Sequence, residues 1–181
     1  MQVTTTHLPD VLILTPKCIK DERGWFMESF NQQTFQQATG VSPTFVQDNH
    51  SHSTQGVLRG LHYQLPPTAQ GKLVRVLQGK TWDVAVDLRR TSATFGQWVG
   101  VELSAENQQQ LWVPAGFAHG FITLSASAEL AYKTTDYYAP VYERTLLWND
   151  PTLSIAWPIT PVQLSAKDQQ GCAFSQAEVF A

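Results

Sequence analysis

Between Thr81 and Leu88 the residues Trp82, Val84, Val86 and Leu88 alternate with Thr81, Asp83, Ala85 and Asp87. A spacing of two puts one set on each face of an extended strand, whereas a helix would scatter both sets around its axis. The segment reads as a half-buried strand. Similar short runs at 11–15, 25–30, 44–53, 57–64, 73–77, 98–103, 110–113, 120–124 and 130–135 predict about ten strands in all. Turn residues separate them, with Gln78-Gly79-Lys80 as a hairpin candidate and Pro66-Pro67 and Pro114-Ala115-Gly116 as loops. One short helix is expected over 32–39, capped by Asn31 and stopped by Gly40, with Phe35 and Ala38 on one face. A helical turn at 165–170, in a tail rich in Pro and Ser, is the only other. So many strands with so little helix exclude a doubly wound α/β sheet and leave a sandwich, a closed barrel or a double-sheet jelly roll. No Walker loop or GxGxxG competes. With 181 residues and no repeat or linker, one domain spanning 1–181 is expected.

A net charge of −3 gives no field to draw the chain onto nucleic acid or an anionic membrane, so any polyanionic ligand must be held locally. No stretch approaches the roughly 20 apolar residues of a membrane span. The start of the chain, with Thr4, Thr5, Thr6 and His7, lacks the basic flank and apolar run of a secretory signal, so a cytoplasmic location is expected. Cys18 and Cys172 are far apart and read as two free thiols rather than a disulfide framework. Charged residues are only 15% of the chain, which favours covering part of the surface in an oligomer.

The chemistry concentrates in three segments. Gln47-Asp48-Asn49-His50-Ser51-His52-Ser53 is polar on both faces of its strand; it is either an exposed edge or the lining of a ligand-filled interior, because buried polar groups need partners. His50 and His52 at i, i+2 also have the spacing of metal ligands. In Arg59-Gly60-Leu61-His62-Tyr63-Gln64, strict alternation would send Arg59 and His62 to opposite faces, and only a bulge, easiest at Gly60, would bring both to one site. An imidazole such as His62 is able to accept a proton at neutral pH. Pro114-Ala115-Gly116-Phe117-Ala118-His119-Gly120 resembles the second signature motif of cupins. In metal cupins, however, the first motif carries two histidines one residue apart, and here that stretch reads His62-Tyr63-Gln64. His62 and His119 alone do not make a ligand set, so no metal is expected. Acid–base work is the natural alternative, with Tyr132 as a proton donor, Lys72 as an oxyanion stabiliser and Asp168 as a nearby carboxylate. By spacing alone, a core-anchored Tyr132 and a surface Lys72 are favoured over catalytic roles.

At this point the residues resemble the RmlC-type enzymes, the dTDP-4-dehydrorhamnose 3,5-epimerases. The resemblance runs from Asp21 to Asp168, through Asp21-Glu22-Arg23-Gly24, the 47–51 and 58–64 blocks, Gln70-Gly71-Lys72-Leu73-Val74, the 83–89 block, Phe95-Gly96-Gln97-Trp98, the 114–121 block, Leu147-Trp148-Asn149-Asp150 and Leu164-Ser165-Ala166-Lys167-Asp168. Nine blocks in one order are specific. The resemblance implies an all-β, cupin-like double-sheet jelly-roll barrel with a few short peripheral helices. It further implies a homodimer, no cofactor, and a dTDP-linked 4-keto-6-deoxyhexose substrate inverted at C3 and C5. It makes His62 the base, Tyr132 the acid, Asp168 the orienting carboxylate and Lys72 the support of the enolate oxygen. It places Arg23, Phe26, Glu28, Gln47, Asn49, Arg59, His119, Glu143 and Lys167 around nucleotide and sugar, with Tyr138 as a stacking surface and Arg23 and the strand around Phe26 lent across the dimer. One departure is Arg144, where a smaller residue is expected. The rival readings are a related epimerase acting at one carbon, a metal-dependent cupin oxygenase and a non-catalytic nucleotide-sugar binding module.

Overall fold

A computed structural model describes residues Met1–Ala181. The elements in chain order are β1 (Gln2–Thr5), β2 (Leu12–Thr15), β3 (Cys18–Asp21), β4 (Gly24–Met27), α1 (Gln32–Thr39), β5 (Gln47–Thr54), β6 (Leu58–Gln64), β7 (Lys72–Gln78), β8 (Lys80–Asp87), β9 (Trp98–Ser104), β10 (Gln110–Val113), β11 (Phe117–Thr123), β12 (Ser127–Thr134), β13 (Glu143–Thr145) and α2 (Ala166–Gln169). A six-stranded sheet in the order β1-β2-β10-β7-β12-β5 faces a five-stranded sheet in the order β13-β6-β11-β8-β9, and β3 and β4 form a separate ribbon. Within these sheets the strand pairs are antiparallel. This is the all-β double-sheet architecture expected, with the two sheets left open at their edges rather than closed into a barrel.

Several expectations change in detail. The turn at Gln78-Gly79-Lys80 is not a hairpin, because β7 pairs with β10 and β12 while β8 pairs with β11 and β9. Gly79 turns the chain from one sheet to the other with φ +77°, and a Cβ there would lie 2.1 Å from Ser127 O. Strand β8 is buried on both faces, not one: Thr81, Asp83, Ala85 and Asp87 point into the interior, and Val84 and Val86 are equally sealed. Periodicity reports which residues share a face, and the cover on the second face comes from far along the chain. There the tail packs Leu146, Leu153, Phe174, Val179 and Phe180 against Val84, Val86 and Leu88. Strands β1, β3 and β13 are additional; each is three or four residues long and holds too few apolar residues for alternation to announce it.

Helix α1 follows its signals, with Asn31 Oδ1 accepting from the Thr34 amide and Gly40 closing it at φ +76°. Its Phe35 is fully buried among Phe30, Phe45 and Trp112 on the outer face of the six-stranded sheet. Burying such a ring contributes roughly 1.5–3 kcal/mol, more than the helix's own propensity supplies.

Between the sheets the interior is divided. Val74, Val76, Ala85, Val99, Val101, Leu103, Leu111 and Leu130 fill one part with apolar side chains. The part bounded by β5, β6 and β13 is lined by polar ones. What brings them together is the expected bulge: His119 pairs with His62 but Phe121 pairs with Arg59, so β6 carries one extra residue around Gly60. Gly60 has φ +131°, and a Cβ on it would meet Gly120 Cα at 2.5 Å and His119 O at 3.0 Å. Gly60→Ala is therefore expected to lower stability by about 2–4 kcal/mol, strain and overpacking together. A urea denaturation midpoint measured beside the wild type checks it, and a loss under about 0.5 kcal/mol, the size of an ordinary surface change, would refute this account of the bulge.

Candidate active site

Strand β6 of one sheet and strands β7 and β12 of the other deliver His62, Lys72 and Tyr132 to one cavity of about 530 Å³, and α2 closes it with Lys167 and Asp168. Arg59, His119, Tyr138 and Glu143 complete the wall, with Ser51 and Phe121. A side pocket of about 190 Å³ shares His62, Lys72, Tyr132 and Glu143, and adds Gln47 and Asn49. Strand β5 thus satisfies both readings of its polarity. It is the edge strand of its sheet, with Gln47, Asn49, Ser51 and Ser53 turned inward and Asp48, His50 and His52 turned to solvent. His50 pairs with Glu129 on that outer face, 3.2 Å away, and takes no part in the cavity.

His62 Nε2 lies 2.5 Å from Asp168 Oδ1. Asp168 is placed by its helix turn, whose N-cap Ser165 accepts the Asp168 amide through Oγ. Burial alone would raise the Asp168 carboxyl, but the hydrogen bond and charge of His62, helped by Ser165 and Lys167, outweigh it and hold it below the usual carboxylate range. Burial lowers the His62 imidazole, and Asp168 recovers only part of that shift. The resting pair is then a neutral imidazole beside a carboxylate. Nε2 carries the hydrogen that Asp168 accepts, and Nδ1 keeps a lone pair free to take a proton.

Lys72 is 8% exposed and donates from Nζ to His62 O at 3.2 Å. Burial brings its ammonium down to about 8, against the pull of Asp83 and Glu143. Most of it is therefore still charged at neutral pH, yet weakly solvated, which strengthens its hold on a nearby anion. Burial also raises the Tyr132 phenol, with Glu143 adding to the effect, so the hydroxyl keeps its proton. His62 and Tyr132 belong to opposite sheets, so a flat ligand between the sheets would meet a base from one side and a phenol from the other.

Around this centre Lys167 Nζ donates to Glu143 Oε1 at 2.9 Å and Tyr138 Oη donates to Glu143 Oε2 at 3.0 Å. Arg59 is held by Ser53 Oγ and His52 O, at 2.9 and 3.1 Å. Arg144 leaves the Glu143 carboxylate to Lys167 and Tyr138: its guanidinium pairs with Glu178 and donates to the backbone oxygens of Val141 and Glu143. Arg23, Phe26 and Glu28 are the expected ligands that the fold does not bring in. They sit on and just after the β3–β4 ribbon, where Arg23 pairs with Asp21, Phe26 is 68% exposed and Glu28 accepts from Asn31. None lines the cavity of its own chain, because the ribbon pairs with neither main sheet. Two further residues had no assigned part. Asp83, fully buried, accepts from His119 Nε2 at 2.8 Å, and Gln64 binds the loop after β12. Alternation put Asp83 on the face of β8 opposite the apolar set, and only the burial of both faces turns that side chain into the interior. No group of three or more histidine, cysteine or carboxylate side chains is gathered as a metal site would need.

The family described as dTDP-4-dehydrorhamnose 3,5-epimerase matches residues 5–176. A dTDP-4-dehydrorhamnose 3,5-epimerase of Shigella flexneri is 58% identical over 180 residues, covering 99% of each chain. One from Pseudomonas aeruginosa is also 58% identical, over 181 residues and 99% of each chain. The crystal structure of dTDP-6-deoxy-D-glucose-3,5-epimerase RmlC from Legionella pneumophila Philadelphia 1, in complex with dTDP-4-keto-L-rhamnose, superposes with a TM-score of 0.94 at 50% identity, covering 98% of this chain and 94% of that one.

The His62 imidazole is expected to titrate below 6.5 in an NMR pH series, and Asp168→Asn to move its midpoint lower still, since the carboxylate is what opposes the effect of burial. An upward movement would reverse the assigned balance.

Proposed function

Because the chain belongs to the dTDP-4-dehydrorhamnose 3,5-epimerase family, we propose that His62, Tyr132, Lys72 and Asp168 carry out its reaction. The activity is the isomerisation of dTDP-4-dehydro-6-deoxy-D-glucose to dTDP-4-dehydro-L-rhamnose by inversion at C3 and C5. The 4-keto group acidifies the hydrogens on both flanking carbons, so no other activating chemistry is needed. His62 takes the proton from C3 or C5 through Nδ1, and Asp168 orients the ring and stabilises the imidazolium that forms. The electron pair moves onto O4, where the ammonium of Lys72 meets the developing enolate. Tyr132 then donates its hydrogen to the same carbon from the opposite face, and the configuration inverts. One inversion leaves an imidazolium and a phenolate, which must exchange protons with solvent or each other before the next. The single observation that carries this assignment is a histidine–carboxylate pair and a phenol from opposite sheets lining one cavity, with the buried ammonium of Lys72 in the same lining.

Gln47, Asn49, Arg59, His119, Tyr138, Glu143 and Lys167 bind nucleotide and sugar in this reading. Arg59 is suited to the diphosphate because a guanidinium pairs phosphate oxygens in a fork. In heavy water the C3 and C5 hydrogens of the substrate should both exchange, as followed by NMR. His62→Ala and Tyr132→Phe should each cut turnover by about 10²–10⁴ while dTDP binding stays within a few-fold. Label at one carbon only would replace the double epimerase by a single one, and unchanged turnover in both variants would remove these two residues from the mechanism.

The working unit in this reading is a homodimer. It is supported by the exposed Ile19, Trp25 and Phe26 of the ribbon and by the unpaired outer edge of β5, an edge that invites another strand. Lending the ribbon to a second copy would cover those side chains and carry Arg23, Phe26 and Glu28 toward the other copy's site. Two unpaired thiols, Cys18 and Cys172, suit a cytoplasmic location, and no helix is long and apolar enough to cross a membrane. Sedimentation should give twice the chain mass for the wild type, and Phe26→Asp should shift it toward the single chain with about tenfold weaker substrate binding, or about 1.4 kcal/mol. A wild type that sediments as a monomer would end the dimer reading.

A further inference from the structure

Gln64 occupies the position where a metal cupin would carry its second histidine, and it lies two residues beyond His62 on the inward face of β6. Its side chain is 3% exposed. Nε2 donates to Thr68 O at 2.7 Å and Tyr137 O at 3.1 Å, while Oε1 accepts from the Ala139 amide at 2.9 Å. One carboxamide thus uses both hydrogens and its oxygen on backbone groups, two of them flanking Tyr138. Between those contacts the Tyr138 amide donates to Gln47 Oε1 at 3.0 Å, and Gln47 Nε2 donates on to Asn49 Oδ1 at 3.0 Å. The chain of bonds runs from β6 of one sheet, through the loop, to β5 of the other. It crosses the interior where the sheets part to admit a ligand.

We propose that Gln64 is a positioning residue that sets the mouth of the site by holding the 137–139 loop, and with it Tyr138 and Gln47, at the distance the nucleotide sugar requires. The proposal rests on reading this cavity as the nucleotide-sugar site. Only a side chain with both donors and an acceptor at this length satisfies the three backbone groups. A histidine offers two ring nitrogens and a glutamate only acceptors while ionised. Gln64 acts at a distance from the reacting carbons, so its loss should weaken binding more than chemistry.

Three measurements on the full chain test this. Gln64→Leu should raise KM for the dTDP-4-keto sugar about tenfold, with kcat for deuterium exchange at saturation within about threefold of the wild type. In a Tyr138→Ala background the same substitution should cost clearly less than its full tenfold, since the Tyr138 side chain no longer contributes and only the hold of the loop amide on Gln47 is left to lose. Gln64→Glu should bind dTDP poorly at pH 8 and recover relative to the wild type at each lower pH as the introduced carboxyl gains a proton and can donate to one carbonyl. That recovery separates a hydrogen-bonding role from mere bulk, and it decides the matter alone if Gln64→Leu does not fold. A KM unchanged in Gln64→Leu, full multiplication with Tyr138→Ala, or a Gln64→Glu to wild-type binding ratio independent of pH overturns the proposal. Failure of the wild-type chain to bind the nucleotide sugar would instead strike at the reading of the cavity.

Discussion

The contact between His62 and Asp168, 2.5 Å long, joins two parts of the chain separated by more than a hundred residues. To make it, the tail must leave β13, cross the outer face of the five-stranded sheet and return to the cavity mouth at α2. The apolar side chains that cover Val84, Val86 and Leu88 on the way are what hold that course. The dyad's geometry therefore depends on the packing of a sheet face that never touches the substrate. Beyond α2, Tyr63 ties the end of the tail down by donating from Oη to Glu178 O at 2.7 Å.

A second constraint is electrostatic. Lys72, Asp83, His119 and Asp168 are all nearly sealed from solvent, and isolated buried charges are costly enough that each must be paired or change its protonation. The two histidines each have their own carboxylate, although Asp83 Oδ2 is left without a partner, and these histidines face each other across β6 and β11. Lys72 has only a carbonyl as hydrogen-bond partner, and its ammonium correspondingly falls to about 8. A site arranged this way holds one base neutral and one cation incompletely satisfied, which is the condition for receiving an anion that forms only during the reaction.

Much of this was legible in the residues. The caps of α1 and the glycine between Arg59 and His62 each have one physical meaning, and the fold expresses it, whereas the alternation in β8 sorted its residues by face without showing that both faces are buried. The polar strand 47–53 announced a lined interior and an edge without separating them, because period two assigns faces and not neighbours. Gly79 misled for a related reason: a tight turn says that the chain reverses, but pairing is decided by which sheet the next strand can join. Arg23, Phe26 and Glu28 were placed by resemblance, and in the single chain they stand on a ribbon outside the cavity.

The sequence by itself determined the strand-rich class, the caps, the bulge and the kinds of side chain available for acid–base work, because these depend on dihedral preferences and on chemistry carried within a few residues. Tertiary structure alone decided which of those side chains meet. The convergence of His62, Lys72, Tyr132 and Asp168 arises from two facing sheets and a returning tail. The protonation states that make them useful follow from burial, a property no residue has until the rest of the chain has packed around it.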